Sequence, residues 1–265
     1  MLKRAAVLAV TCGALLAGCG TDTQAEPSDE TREIIANLME AGFPADDIVA
    51  VDGVVYAGRD AEVSLQASRE LLQPGAGSEE QYRTTNLIDP SIKKICINPT
   101  VTFNSSVKLS QGLDMAIANY NGLGLCFGFA RGPTTGCDAN IVIQTVTGSA
   151  GYAGFPSNGR PFGTINIGIG VTSYSADVIE HIITHEIGHT IGLRHSDFFS
   201  RVISCGTSGG GSEGTAGVGA ILIPGTPATA TVGGSIMNAC FRTTETGEFT
   251  SSDITALRYL YGRGC

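Results

Sequence analysis

The sequence predicts an α+β fold for its larger, C-terminal part, preceded by a small acidic segment and an export signal. Three observations carry this. Short runs with strand-like alternation are interleaved with segments of helical period along most of the chain. Hydrophobic residues make up 42% of the 265 residues and charged residues only 15%, which excludes a disordered tail or a coiled coil and is ample for a sizeable core. Six cysteines fall beyond residue 95, which suits a disulfide-stapled domain outside the reducing cytosol.

The export signal comes first. Met1-Leu2-Lys3-Arg4 is a short basic start, and Ala5 to Gly18 is a small and apolar run, too short to be a permanent membrane helix. It ends Leu16-Ala17-Gly18-Cys19, which resembles the lipobox of bacterial lipoproteins. That resemblance implies a signal peptide over residues 1–18, lipidation of Cys19, and a membrane anchor at the cell envelope or surface, followed by a flexible tether over 19–30. The alternative is an ordinary signal peptide cut after Ala25, giving a freely secreted protein. Residues 31–83 are read as an acidic pro-segment or accessory module, and residues 84–265 as the main domain.

Charge divides the chain at the same place. The net charge is -9, but Gly20 to Arg83 holds 14 acidic and four basic residues, against 11 acidic and 10 basic from Thr84 onward. An acidic protein with no basic cluster is a poor partner for nucleic acid. A monomer is expected, touching the membrane only through the anchor at Cys19.

Within the acidic segment, Arg32 to Ala41 has helical spacing (Ile34, Ile35, Leu38, Met39). Ile48 to Tyr56 reads as a hairpin around Asp52-Gly53, and Ala61 to Leu72 as a second helix before Pro74-Gly75. Gly75 to Glu80 is a linker. In the main domain, Ile95 to Phe103 is a strand that Pro99 places near a sheet edge. Val107 to Tyr120 is a helix; Leu125 to Ala130, Ile141 to Val146 and Thr164 to Ile169 are strands. Asp177 to Ile191 is a helix with Asp177 and Glu180 spaced as a capping box. Ser204 to Ser235 is a Gly/Ser/Thr/Ala tract, a stapled loop because Cys205 and Cys240 flank it, with one apolar patch at Ala220 to Ile223. A last helix, Ser252 to Tyr261, follows Thr250 as its cap. Loop lengths favour the disulfides Cys126–Cys137, Cys205–Cys240 and Cys96–Cys265.

All four histidines lie in one window: His181, His185, His189 and His195. On a helix, His185 and His189 share a face, and Gly192 lets the chain turn back so that His195 reaches the same point. Three nitrogen ligands and an open position are the set a catalytic zinc ion takes. Glu186, next to the first ligand, is placed to act as general base without binding the metal. From the chain's own composition, the five-residue pattern arises by chance with probability on the order of 10⁻⁵.

His185-Glu186-Ile187-Gly188-His189, continued through Gly192 to His195, resembles the metzincin zinc peptidases. With Arg194-His195-Ser196-Asp197 and the Cys205–Cys240 tract, it resembles most specifically the dual-action HEIGH metallopeptidases of bacteria. The resemblance implies a metzincin-like catalytic domain: a twisted mixed sheet, an active-site helix, a C-terminal helix and a Met-turn. Ser235-Ile236-Met237-Asn238 supplies the last, placing Met237 beneath the three rings. It implies one catalytic Zn2+ on His185, His189 and His195, and hydrolysis of peptide bonds in protein or peptide substrates with Glu186 as base. It places the substrate along an edge strand, with Gly151 to Phe155 as candidate, and the wall of the pocket beyond the scissile bond at Ala239 to Phe249. Ala239 stands where some metzincins have a tyrosine that helps hold the transition state. No cysteine lies between Gly20 and Ile95, so a thiolate cannot hold the zinc latent. His181 is assigned to packing or support of the ligands, and Asp197 either orients a ligand or pairs with Arg194 or Arg201. The alternatives are a lipid-anchored surface binding or adhesion protein with a structural zinc site, in which Glu186 has no purpose, and a zinc amidase acting on cell-wall peptides.

Overall fold

The acidic segment folds as helix α1 (Asp29–Glu40), hairpin β1 (Ile48–Val51) and β2 (Val54–Ala57), strand β3 (Ala61–Glu62) and helix α2 (Leu65–Leu71). The computed structural model describes residues 27–262 except 42, 44, 58–59, 73–80, 134, 207–212, 214–218 and 228. The expected signal peptide, Cys19, most of the expected tether, the 75–80 linker and Cys265 lie outside the described residues. Ser28 caps α1 by accepting a hydrogen bond from the Thr31 amide, and Asp52, with φ of 51°, and Gly53 form the hairpin turn. The expected helix over Ala61–Leu72 begins late. Ala61 and Glu62 extend along a neighbouring strand, and Ser64 Oγ then accepts from the Ala67 amide to start α2.

The chain continues through β4 (Tyr82–Arg83), β5 (Lys94–Pro99), the short α3 (Val101–Ser105) and α4 (Val107–Gly122). Then come β6 (Gly128–Arg131), β7 (Ala139–Val146), β8 (Gly151–Gly154), β9 (Thr164–Gly168) and α5 (Ala176–Thr190). The short α6 (Val202–Cys205), β10 (Ile221–Leu222) and α7 (Ser251–Tyr261) complete it. An eight-stranded sheet runs β1-β2-β3-β8-β9-β7-β5-β6. Strands β6, β5, β7 and β9 are mutually parallel, and β8 is antiparallel to β9. The fold is thus α+β with a mixed, mostly parallel sheet, as the sequence predicts.

Pro99 does lie near an edge: β5 adjoins the edge strand β6, and their pairing stops at Ile97. Strand β5 lies between β7 and β6, and the proline is its last residue, where the chain leaves for α3. Helix α5 is capped by Ser175, whose side chain accepts from the Val178 amide, rather than by an Asp177–Glu180 box. Glu180 instead accepts from Asn119 Nδ2 at 2.7 Å, tying α5 to α4. The disulfides also differ from expectation. Cys205 joins Cys240, but Cys96 joins Cys137, so neither Cys126–Cys137 nor Cys96–Cys265 forms. The parallel β5–β7 pairing puts Cys96 at the foot of the loop that carries Cys137. Cys126 is disulfide-bonded as well. The apolar patch of the long tract becomes β10, paired with β4.

Two apolar clusters result. The larger fills the space between the sheet and α4, α5 and α7, with Ile95, Ile141, Ile165, Leu113, Ile183 and Leu257 almost wholly buried. The smaller belongs to the acidic segment, Ile34, Leu38, Phe43, Val55 and Val63 among its members, and is completed by Phe155 from just after β8. Among the described residues, no helix is long and apolar enough to cross a membrane.

One buried carboxylate holds the C-terminal elements together. Thr250 and Asp253 form a capping box at the start of α7. The Asp253 carboxylate also accepts from Ser235 Oγ at 2.6 Å, the Ile236 amide at 3.0 Å and Gln81 Nε2 at 3.0 Å. Charge-assisted bonds of this kind contribute about 1.5–3 kcal/mol each, and deleting the acceptor leaves several donors buried and unpaired. Asp253→Ala is therefore expected to cost about 3–5 kcal/mol and to lower the melting temperature by about 6 °C or more in thermal unfolding followed by circular dichroism. An unchanged melting temperature would dismiss this anchoring role.

Candidate metal centre

Every residue of α5 from Val178 to Thr190 is buried, because the helix lies between α4 and the sheet with β8 across it. A buried helix can carry polar side chains only where they are paired or serve a site. His185 and His189, one turn apart, project from the same face. Gly192 then takes φ of 104°, and the Leu193 amide bonds back to the Gly188 carbonyl at 3.0 Å, so the helix stops and the chain reverses. A side chain at Gly192 would meet the Asn86 carbonyl 2.6 Å away. The reversal brings His195 in against the first two rings.

The three rings and one carboxylate converge. Ligand atoms of Asp60, His185, His189 and His195 all lie within 4.8 Å of one another. His195 Nε2 is 3.2 Å from His185 Nε2 and 3.1 Å from Asp60 Oδ2. A tetrahedral zinc shell with bonds of about 2.0–2.1 Å has edges of about 3.3 Å, so these spacings suit a single ion of that size. His189 Nε2 is buried with no hydrogen-bond partner among the described residues, as a metal donor should be. The donor set, three imidazoles and a carboxylate, fits zinc.

Each ring is aimed by its outer nitrogen. His185 Nδ1 donates to the Ile236 carbonyl at 2.8 Å, and His189 Nδ1 to the Leu193 carbonyl at 2.9 Å. His195 Nδ1 bonds the Glu213 carboxylate. Holding Nδ1–H fixes the tautomer and leaves Nε2 free to bind a metal. Burial pushes His185 far below the usual histidine range, and the neighbouring rings add to this; burial and His195 lower His189 to about 3. Both are therefore neutral donors. Burial also opposes charge on His195, but the Asp60 and Glu213 carboxylates outweigh it and raise this pKa well above normal. A cation on Nε2, proton or metal, suits that pair of carboxylates.

Sequence reasoning missed two residues of the site, Asp60 and Glu213. Glu213 is fully buried, 3.3 Å from Arg194 and 3.5 Å from Arg201. Burial would raise its pKa, but His195, Arg194 and Arg201 more than offset this and hold it down to about 2. A signal existed: Glu213 is the sole charged residue between Ser204 and Ser235.

Glu186 is also buried, and its Oε2 has no partner among the described residues. Burial pushes its pKa well above the carboxylate range; Asp60 adds to the rise and His195 opposes it. It opens on a cavity of about 90 Å3 together with Asp60, Gly151, His181, Ala239 and Phe241. His181 bonds the Thr246 carbonyl through Nδ1 at 3.0 Å and leaves Nε2 without a partner among the described residues. Met237 is buried under α5, in space that only Gly188 leaves open: a Cβ there would stand 2.5 Å from its sulfur. Its carbonyl accepts from the Ser196 amide at 2.7 Å, fixing the turn to the loop that carries His195. Asp197 pairs with neither arginine. It accepts from Ser204 Oγ at 2.6 Å and the Ala239 amide at 2.9 Å, closing the loops around the Cys205–Cys240 bridge.

Loss of the group that aims His195 should loosen the ion without unfolding the site. Glu213→Gln is expected to weaken zinc affinity about 10-fold and Glu213→Ala toward 100-fold, read by competition with a chelator. Equal affinity in all three proteins would show that His195 needs no such support.

No curated protein matches the chain. Two solved structures of myroilysin resemble it at 14% identity and a TM-score of 0.41. One match covers 68% of this chain and 97% of its own, the other 83% and 96%. The family described as dual-action HEIGH metallo-peptidase matches residues 55–261, which take in α5, Met237 and all four clustered ligand candidates. On that match the chain belongs to the dual-action HEIGH metallopeptidases.

Proposed function

We propose that the protein is an exported zinc endopeptidase, anchored through Cys19, that hydrolyses peptide bonds in protein or peptide substrates. In this reading His185, His189 and His195 hold the zinc and Glu186 is the general base. The observation that carries it is the convergence of three imidazoles beside a buried, partnerless carboxylate oxygen. When bound, zinc supplies the Lewis acidity that makes water a nucleophile near neutral pH and steadies the oxyanion of the tetrahedral species.

The remaining steps fall to the chain itself. Glu186 Oε2 takes the proton of the attacking water, and the same carboxyl then hands it to the leaving amine. Burial and Asp60 raise the proton affinity of Glu186, and a bound divalent cation would oppose that rise and keep the carboxylate ionised for its part as base. Gly151 to Phe155 is not a free edge, since β3 pairs with β8 at Ala153 and Gly154; an extended peptide added to β8 would have to take the place of β3. The cavity lined by His181, Ala239 and Phe241 receives the side chain beyond the scissile bond. With Ala239 in place of a tyrosine, no phenol is available there to share the oxyanion.

Export is supported by the lipobox-like Leu16-Ala17-Gly18-Cys19 and by two disulfides of separate loops, which form outside reducing compartments. A structural zinc site in a surface binding protein is favoured by one feature, the carboxylate of Asp60 beside the three rings, since structural sites have four protein ligands. The two readings separate on Glu186→Gln. The peptidase reading expects hydrolysis of an unfolded protein to fall about 10²–10⁴-fold with zinc content unchanged. Unchanged hydrolysis would remove Glu186 as base, and cleavage confined to cell-wall peptides would point to an amidase.

A further inference from the structure

Asp60 comes from the acidic segment, in the turn between β2 and β3. Its Oδ2 is 3.1 Å from His195 Nε2, and its side chain is only 19% exposed. A tetrahedral ion held by three imidazoles has one position left, and this carboxylate stands at it. The neighbouring backbone occupies the second part of the site. Strand β3 pairs parallel with β8, Ala61 opposite Ala153 and Glu62 opposite Gly154. The Ala153 amide donates to the Asp60 carbonyl at 3.2 Å, which takes a donor that an incoming peptide would use. The approach is close: a Cβ on Gly154 would stand 2.2 Å from the Glu62 carbonyl oxygen.

The rest of the segment is docked around that contact. Phe155, just after β8, is buried in the segment's own apolar cluster and meets the His189 ring edge-on at 5.6 Å. Asp47 reaches Arg201 at 3.4 Å, the Phe43 ring lies 4.3 Å beneath the Arg194 guanidinium, and Tyr56 meets Tyr152 edge-on at 5.3 Å. Three of these partners flank the metal cluster or lie on or beside β8. The segment therefore covers the edge that a substrate needs and also presents a metal-binding side chain, yet at the ion it offers a carboxylate where a substrate would offer a scissile carbonyl.

We propose that residues 31–83 hold the enzyme latent, with Asp60 as a fourth, displaceable metal ligand and β3 filling the substrate edge of β8. The proposal rests on the peptidase reading above. It gives the acidic segment a task, and it explains how latency is achieved without a cysteine.

The test uses the full zinc-loaded chain as wild type, Asp60→Ala and Asp60→Asn. The first readout is the affinity of a peptide hydroxamate, which binds zinc through two oxygens and needs an open position. If the latched form holds nine-tenths or more of the molecules, removing Asp60 tightens hydroxamate binding about 10-fold or more, with Asp60→Asn between the two. Zinc stoichiometry stays at that of the wild type, because the three imidazoles remain. Hydrolysis of an unfolded protein rises by a similar factor. A cobalt-loaded wild type serves as a check independent of any variant: its visible absorption should resist hydroxamate at concentrations that change the spectrum of the Asp60→Ala protein.

Equal hydroxamate affinity in all three proteins overturns the latch. So does loss of zinc on removing Asp60 while the wild type hydrolyses at full rate, which makes Asp60 a permanent structural ligand. Equal hydrolysis by all forms dismisses the latch and leaves the peptidase standing. Tighter hydroxamate binding with no hydrolysis by any form keeps the latch and dismisses the peptidase.

Discussion

Three buried imidazoles must aim their inner nitrogens at one point, and each does so because its outer nitrogen is held by a different stretch of chain. Ile236 holds His185, Leu193 holds His189 and Glu213 holds His195. Two of these partners are backbone carbonyls fixed by folding: Leu193 by the reversal at Gly192, Ile236 by the Asp253 hub at the start of α7. The third is a charged side chain that stays ionised deep in the protein because two arginines and the ring surround it. Neutral rings and a directed lone pair on each follow from these contacts, and the candidate metal site follows from the rings.

The same contacts explain why elements remote in sequence lie together. The Met237 turn both accepts from the Ser196 amide and neighbours the carbonyl that holds His185, so this turn and the segments that carry His185 and His195 are one hydrogen-bonded unit. Helix α5 is buried on all sides because its polar face serves the site while its apolar face packs on α4 and the sheet. Strand β8 lies between β9 and the acidic segment's β3, and the segment's small apolar core borrows Phe155 from the larger domain.

Much of this is legible in the sequence where the signal is local. Helical spacing marks α1, α4, α5 and α7, and the spacing of His185, His189 and His195 with Gly192 between them marks a common point in space. What escapes is carried by contacts between distant segments. Pro99 reads as near an edge, and β5 does adjoin the edge strand β6; which strands flank it is not legible, because β6 and β7 lie 30 to 50 positions further on and leave no mark near it. The pairing of Cys96 with Cys137 depends on the parallel register of β5 and β7, which loop length does not encode. Asp60 sits among many acidic residues and has no distinguishing neighbour. Glu213 did have one, its isolation in an uncharged tract, but only burial gives that isolation a meaning.

The Cys205–Cys240 bridge closes a 35-residue separation within which Glu213 lies. Cross-linking a loop of that size removes about 3–4 kcal/mol of chain entropy from the open ensemble. A reduced chain lacks that restraint on the segment that supplies Glu213, the carboxylate that steers the third imidazole. Closing the bridge thereby favours the arrangement in which Glu213 holds His195 Nδ1.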